Sequence, residues 1–317
     1  MSKNLFLVLI FLVVFSSCAS SSKKELDGGL LWEISGNGLE KPSYLLGTWH
    51  GTYDILYNYV DSIPGFHQAW NVCTQFVGEV DNLDDMQSII SSFDPRLPKD
   101  TTYADLLDKP ALHYLDSVLK EKLNAPVDQM HLKPGFLSLL MNQLDEITML
   151  KKAGYSDEQI DNLRKQVMDD VLINKAKETG YTVLGLETVE EQFKMLFSGG
   201  NLKEEADQLI LGLKNQQIQK SLMTELQNAY RSQDINRITD YEETISTILQ
   251  NGFMSKEQCQ ELMYKLLSQR NQAWVKKIPE IIKDNPTFIG VGVRHLPGEE
   301  GVICLLREKG YRVEAVK

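Results

Sequence analysis

The chain has little of what announces most chemistries. Only four of its 317 residues are cysteine and only five are histidine. No C-x-x-C spacing occurs, which argues against a zinc ribbon or a thioredoxin-type redox pair. H-E-x-x-H, G-x-S-x-G, the P-loop and G-x-G-x-x-G are all missing. Their absence removes the signatures of zincins, serine hydrolases, P-loop nucleotidases and dinucleotide-binding enzymes. Basic residues are in deficit, 33 against 44 acidic, for a net charge of −11. Such a chain repels phosphate backbones, so no nucleic-acid partner is expected. No low-complexity segment follows residue 30. The long apolar run LFLVLIFLVVF (5–15) is too short for a comfortable membrane span.

That run reads instead as the h-region of a processing signal, with Lys3 as its positive n-region. Ser16 and Ser17 precede Cys18, a pattern that resembles a bacterial lipoprotein signal. The expectation is a signal peptide over 1–17, lipidation of Cys18, and a flexible tether over 18–29. The protein would then be lipid-anchored in the bacterial cell envelope, facing the periplasm or the cell surface. Its membrane contact would be through that anchor only. Without Cys18, three cysteines remain, an odd count that cannot make a full disulfide framework. They read as buried or free thiols.

A single domain is expected over 30–317. With 42% hydrophobic residues there is ample material for a core. The stretches 30–35, 43–48, 75–80, 181–187, 287–292 and 311–316 read as strands. Residues 84–177 and 202–283 read as helices, with SDEQ (156–159), TVEE (188–191) and SKEQ (255–258) as N-terminal caps. The helix from 255 is expected to stop near Lys277, ahead of Pro279. Residues 301–310 read as a short helix closed by Gly310. Strands separated by helices predict an α/β fold with a largely parallel sheet and a large helical insertion.

Four of these strands end alike. Each is apolar, then meets a glycine-flanked polar residue: His50, Glu79, Glu187 and His295. Gly47-Thr48-Trp49-His50 and Gly292-Val293-Arg294-His295 are both G-x-x-H, at opposite ends of the chain. Carboxyl ends of strands line the ligand crevice of open α/β sheets. Glycine there permits positive φ and close backbone approach. Two imidazoles and two carboxylates could bind a divalent metal. A histidine alone is more simply a hydrogen-bonded core residue, and two in one pattern weaken that reading. Glu79 could equally face water at a strand end, and Asp81 points to the same side and competes for its role. Glu187 could owe its place to the dipole of the next helix. The apolar stripe Met263, Leu267, Trp274, Ile278 puts Arg270 or Asn271 toward the core. A buried guanidinium there needs a carboxylate of the site or a substrate oxyanion, unless it snorkels out.

The motifs LLGTWH, FVGEVD, LGLETVEEQ, RNQAW and FIGVGVRHLPGEEGVICLLREKGYRV resemble, in order and position, those of the TraB/GumN family, which includes the Tiki proteins. The resemblance spans nearly all of 30–316. It implies a fold similar to erythromycin esterase and ChaN-type haem-binding proteins. It implies His50, Glu79 and His295 as central site residues, with Glu187, Arg270 and Asn271 in support. It also implies a metal-dependent peptidase acting on peptide or protein substrates in the envelope. On that reading His50, His295 and one carboxylate hold Zn²⁺, Mn²⁺ or Co²⁺. Glu79 is third ligand or general base, and Arg270 stabilises an oxyanion or binds a carboxylate. A non-catalytic crevice for haem or another small ligand is the rival reading.

Overall fold

The computed structural model describes residues 26–50, 59–81, 94–163, 167–197, 201–250 and 255–317. Cys18 and the expected signal peptide lie outside the described residues. Six strands form one sheet: β1 (Leu31–Ser35), β2 (Ser43–Thr48), β3 (Gln75–Gly78), β4 (Thr182–Gly185), β5 (Thr287–Gly292) and β6 (Arg312–Ala315). Among the described residues, α1 (Phe66–Val72) follows β2 in the chain. Between β3 and β4 come α2 (Tyr103–Leu106), α3 (Lys109–Leu123), α4 (Pro134–Lys152), α5 (Asp157–Leu163) and α6 (Met168–Thr179). Between β4 and β5 come α7 (Val189–Phe197), α8 (Leu202–Lys214), α9 (Gln216–Arg231), α10 (Ile235–Gln250), α11 (Lys256–Met263) and α12 (Gln269–Ile282). Finally α13 (Val302–Glu308) joins β5 to β6.

The spatial order is β4-β3-β5-β2-β1-β6. β4, β3, β5 and β2 run parallel to their neighbours, whereas β1 is antiparallel to both β2 and β6. The sheet is therefore mixed, where a largely parallel one was expected. The reason is the short link at 36–42. A parallel crossover needs a dozen or more residues, so β1 and β2 can only form a hairpin. β6 then joins the free edge of β1. The parallel part reads as predicted. All six residues of β5 are buried, as strands covered on both faces require.

The chain divides into two compact units. The sheet belongs to the unit holding the described residues of 14–83, 163–189 and 221–317. There α6 packs on β3 and β4, and α13 packs on β6 and α12. Phe66, Trp70, Phe76 and Phe288 form a cluster of ring contacts under the sheet, with centroids 5.1 to 5.9 Å apart. At the amino ends of the strands, Gln75 Nε2 donates to Thr287 Oγ1 at 2.7 Å and Thr287 N donates to Ser43 Oγ at 3.0 Å. The other unit holds the described residues of 84–162 and 190–220 and is helical. Its core is Leu97, Tyr103, Leu115, Leu119, Leu137, Met141 and Leu209 with their neighbours.

Two helix predictions meet different fates. Ser156 and Gln159 make the reciprocal bonds of a capping box, Ser156 N to Gln159 Oε1 at 2.9 Å and Gln159 N to Ser156 Oγ at 3.2 Å. Pro279, in contrast, does not stop its helix, which continues to Ile282. Proline lacks one helical donor, yet it falls in the last turn, and the buried Ile278 and Ile282 hold that turn on the core. The same helical run is broken earlier, by a π turn at Tyr264–Ser268. Cys73, Cys259 and Cys304 are in no disulfide, and burial pushes the Cys73 thiol up to about 12. Among the described residues no helix is long and apolar enough to cross a membrane.

Candidate functional site

The four parallel strands are neighbours, so their carboxyl ends share one edge of the sheet. The polar residues predicted there do come together. β2 leads to His50, β3 to Glu79, β4 to Glu187 and β5 to His295. Past the strand ends the ladder continues, with Glu187 N donating to Glu79 O at 2.9 Å, and this sets the two acids side by side. Asp81 is exposed while Glu79 is buried, which decides between them.

Glycine has one of its two predicted roles. Gly47, Gly78, Gly185 and Gly292 are absent from the positive-φ glycines, so sharp left-handed turns are not used. Close approach is. A Cβ on Gly292 would lie 2.4 Å from His50 Nε2, and the Gly292 amide donates to Glu79 Oε1 at 2.8 Å. Only hydrogen in that position lets β5 reach the imidazole and the carboxylate.

His50 sits between two acids. Nδ1 is 2.7 Å from Asp169 Oδ2 and Nε2 is 3.1 Å from Glu79 Oε1. Both partners are acceptors, so both ring nitrogens donate and the ring is an imidazolium. Burial alone would lower its pKa, but Asp169 and Glu79 outweigh burial and push it up to about 10. Thr48 Oγ1 donates to the other Asp169 oxygen at 2.9 Å and so fixes the carboxylate. Tyr230 buttresses the same strand end by donating to Gly47 O at 2.9 Å.

His295 has the opposite surroundings. Asn271 Nδ2 donates to Glu300 O at 2.8 Å and faces His295 O at 3.4 Å, so its Oδ1 is left to accept from His295 Nδ1 at 2.6 Å. Nε2 therefore carries the lone pair, which accepts from Arg270 NH1 at 3.1 Å. Burial first, then the charge of Arg270, hold the imidazole well below its ordinary range. Trp274 packs against it with ring centroids 4.4 Å apart. Arg294, next in the chain, turns away into a half-buried pair with Glu242.

Arg270 closes the cluster. Its NH2 donates to both Glu79 Oε2 and Glu187 Oε1, and its Nε donates to Glu187 Oε2 at 3.2 Å. Its guanidinium carbon lies 4.6 Å from the Trp274 ring centre. Burial opposes the charge on Glu79, but Arg270, His50 and His295 hold the carboxyl well below its usual range. The stripe pointed to arginine or asparagine; the structure turns both inward, Asn271 buried and Arg270 12% exposed, just after the π turn that precedes Gln269. Missed by sequence reasoning were Asp169, Thr48 and Tyr230. The other three histidines, His67, His113 and His131, are exposed.

His50, His295, Glu79 and Glu187 carry donor atoms of the kinds that divalent ions take. His50 Nε2 and His295 Nε2 face the same Glu79 oxygen, at 3.1 and 3.8 Å. Each Nδ1 is engaged by an acceptor, the support that metal-bound histidines need. Yet no three His, Cys, Asp or Glu side chains among the described residues are grouped as a ready metal cage. Arg270 lies among the acids instead, with its NH2 on both Glu79 and Glu187. The donor set fits a divalent ion by its chemistry, once the guanidinium yields.

A mixed α/β sheet whose parallel strands deliver two imidazoles and two acids to one edge, where α12 adds an arginine, defines the class. The chain belongs to the TraB/PrgY/gumN family, whose family model matches residues 30–315. No curated protein and no solved structure matches it.

Proposed function

We propose that this protein is a divalent-metal-dependent hydrolase of peptide bonds, anchored in the bacterial cell envelope through lipidated Cys18. The observation that carries the reading is the convergence of His50 Nε2 and His295 Nε2 on one oxygen of Glu79, with both Nδ1 atoms held from behind. His50, His295 and Glu79 would hold Zn²⁺, Mn²⁺ or Co²⁺. The fold would be of the erythromycin esterase and ChaN type, as the family resemblance implies. An ion there would supply an acidified water and polarise the scissile carbonyl.

The chain's own groups have separable tasks. Asp169 keeps His50 turned toward Glu79, and Asn271 fixes the tautomer of His295. Glu79 is held ionised, so it offers a lone pair more readily than it stores a proton, which favours ligation over general-base work. Arg270 is the cation available for a substrate carboxylate or a developing oxyanion. Glu187, with both oxygens on Arg270, orients it.

Purified protein loaded in turn with Zn²⁺, Mn²⁺ and Co²⁺ is expected to cleave members of a diverse peptide library. His50→Ala and His295→Ala should abolish both the cleavage and stoichiometric metal binding. A metal-loaded wild type that cleaves nothing overturns the enzyme reading. For the anchor, Cys18→Ala should move the protein from the membrane fraction to the soluble one, and unchanged fractionation overturns that part.

A further inference from the structure

We propose that Arg270 is an internal competitor for the cation position, occupying Glu79 and His295 until a divalent ion displaces it onto Glu187. The inference rests on the metal reading above and gives Glu187 a distinct task, that of a dock. The guanidinium covers two of the three proposed ligands at once. NH2 is on Glu79, and NH1 takes the lone pair of His295 Nε2 at 3.1 Å. A guanidinium cannot vacate the position by losing its proton, since its pKa is far above any working pH. It has to move.

The structure provides a direction for that movement. Glu187 grips the guanidinium at two points, NH2 and Nε, so a pivot on this fork takes NH1 off His295 and NH2 off Glu79 while one ion pair survives. Trp274 lies under the pivot, with the guanidinium carbon 4.6 Å from its ring centre. The side chain is 12% exposed against 6% for Glu79, so it is the more solvent-facing member of that pair. One residue upstream, Gln269 follows the π turn, and Leu266 O inside that turn accepts from Arg270 NH1 at 3.4 Å. Single π turns inside helices recur at functional sites.

The test is metal affinity, read by competition with a chelating dye and by the metal-induced shift of the melting temperature, for Zn²⁺ and Mn²⁺. Arg270→Gln removes the competitor and is expected to bind at least about tenfold more tightly than wild type, about 1.4 kcal/mol. Glu187→Gln removes the dock, so Arg270 leans wholly on Glu79, and affinity should fall. A merely structural role predicts that both variants weaken. Folded Arg270→Gln that binds equally or more weakly overturns the inference and leaves the metal reading standing, because wild type still binds. Failure of wild type and variants alike to bind any ion overturns both. If Arg270→Gln does not fold, Arg270→Lys keeps one charge without the fork and is expected to tighten binding by a smaller factor. Unchanged affinity in that variant overturns the inference.

Discussion

Gly47-Thr48-Trp49-His50 and Gly292-Val293-Arg294-His295 present the same residue at the same offset, after adjacent parallel strands, yet the two imidazoles carry different charge. Burial lowers both pKa values, so burial does not distinguish them. Partners do. His50 has a carboxylate on each nitrogen, and His295 has an amide oxygen on one and a guanidinium on the other. A motif therefore fixes where an imidazole stands, and long-range neighbours fix what it is. On the proposed metal reading, one ring would have to shed a proton, whereas the other already offers its lone pair.

The harshest way to break the contrast is to neutralise the acid they share. Glu79→Gln leaves Arg270 and the His50 imidazolium without their common counter-charge. Removing one partner of a buried ion pair costs about 3–5 kcal/mol, and a loss of that order is expected in urea unfolding. Metal content separates the two roles of Glu79. A ligand lost lowers metal occupancy, whereas a base lost lowers rate at full occupancy. Stability within about 0.5 kcal/mol of wild type, the range of ordinary surface changes, would mean that Glu79 does not hold the two cations.

The contrast also writes itself into stability against pH. His50 is raised, so its contribution is full below its ordinary 6.5 and is lost as pH rises toward about 10. His295 is depressed, so its contribution is full above 6.5 and is lost as pH falls below that value. Each proton difference is a slope of up to about 1.4 kcal/mol per pH unit. His50→Gln should flatten the limb from 6.5 to about 10, and His295→Gln the limb just below 6.5. Denaturant titrations across pH check this, and exchanged or unchanged limbs would refute the assignment of charge.

A milder change sharpens the comparison by making the second histidine like the first. Asn271→Asp sets a carboxylate against His295 Nδ1, in the geometry Asp169 has at His50. The His295 titration, followed by NMR, should move upward by at least a unit, about 1.4 kcal/mol. The same change loses the Nδ2 bonds to Glu300 O and His295 O, so about 1–2 kcal/mol of stability should go with it. An unmoved titration would mean that Arg270, not Asn271, sets the state of His295.

Most of the strand pattern is legible in the sequence because β2 and β5 are buried runs broken by glycine, a signal that does not depend on partners. His50, Glu79, Glu187 and His295 are legible for the same reason, since each follows a strand. The placement of β6 is not, because its antiparallel pairing with β1 is a long-range choice that neither segment encodes alone, whereas β1 is turned back on β2 by the short link at 36–42. Asp169 is hidden for a related reason. It lies in the first turn of α6, where an acid already suits the helix dipole, and its partner is 119 residues away. Nothing local marks it as the group that charges His50. Glu242, the partner of Arg294, is hidden likewise in α10.

The smallest expected effect tests how finely Asp169 is tuned. Thr48 Oγ1 donates to Asp169 Oδ1 at 2.9 Å, while Asp169 Oδ2 faces His50. Thr48→Val keeps the shape of the buried side chain and deletes that one bond. Stability should fall by about 1 kcal/mol, the usual worth of a hydrogen bond. The sign at His50 is the informative part. A carboxylate deprived of a donor holds its charge more openly toward its remaining partner, so the His50 midpoint should stay near about 10 or rise. A fall would mean that the hydroxyl orients Asp169 and that its angle toward His50, more than its charge, keeps the imidazolium.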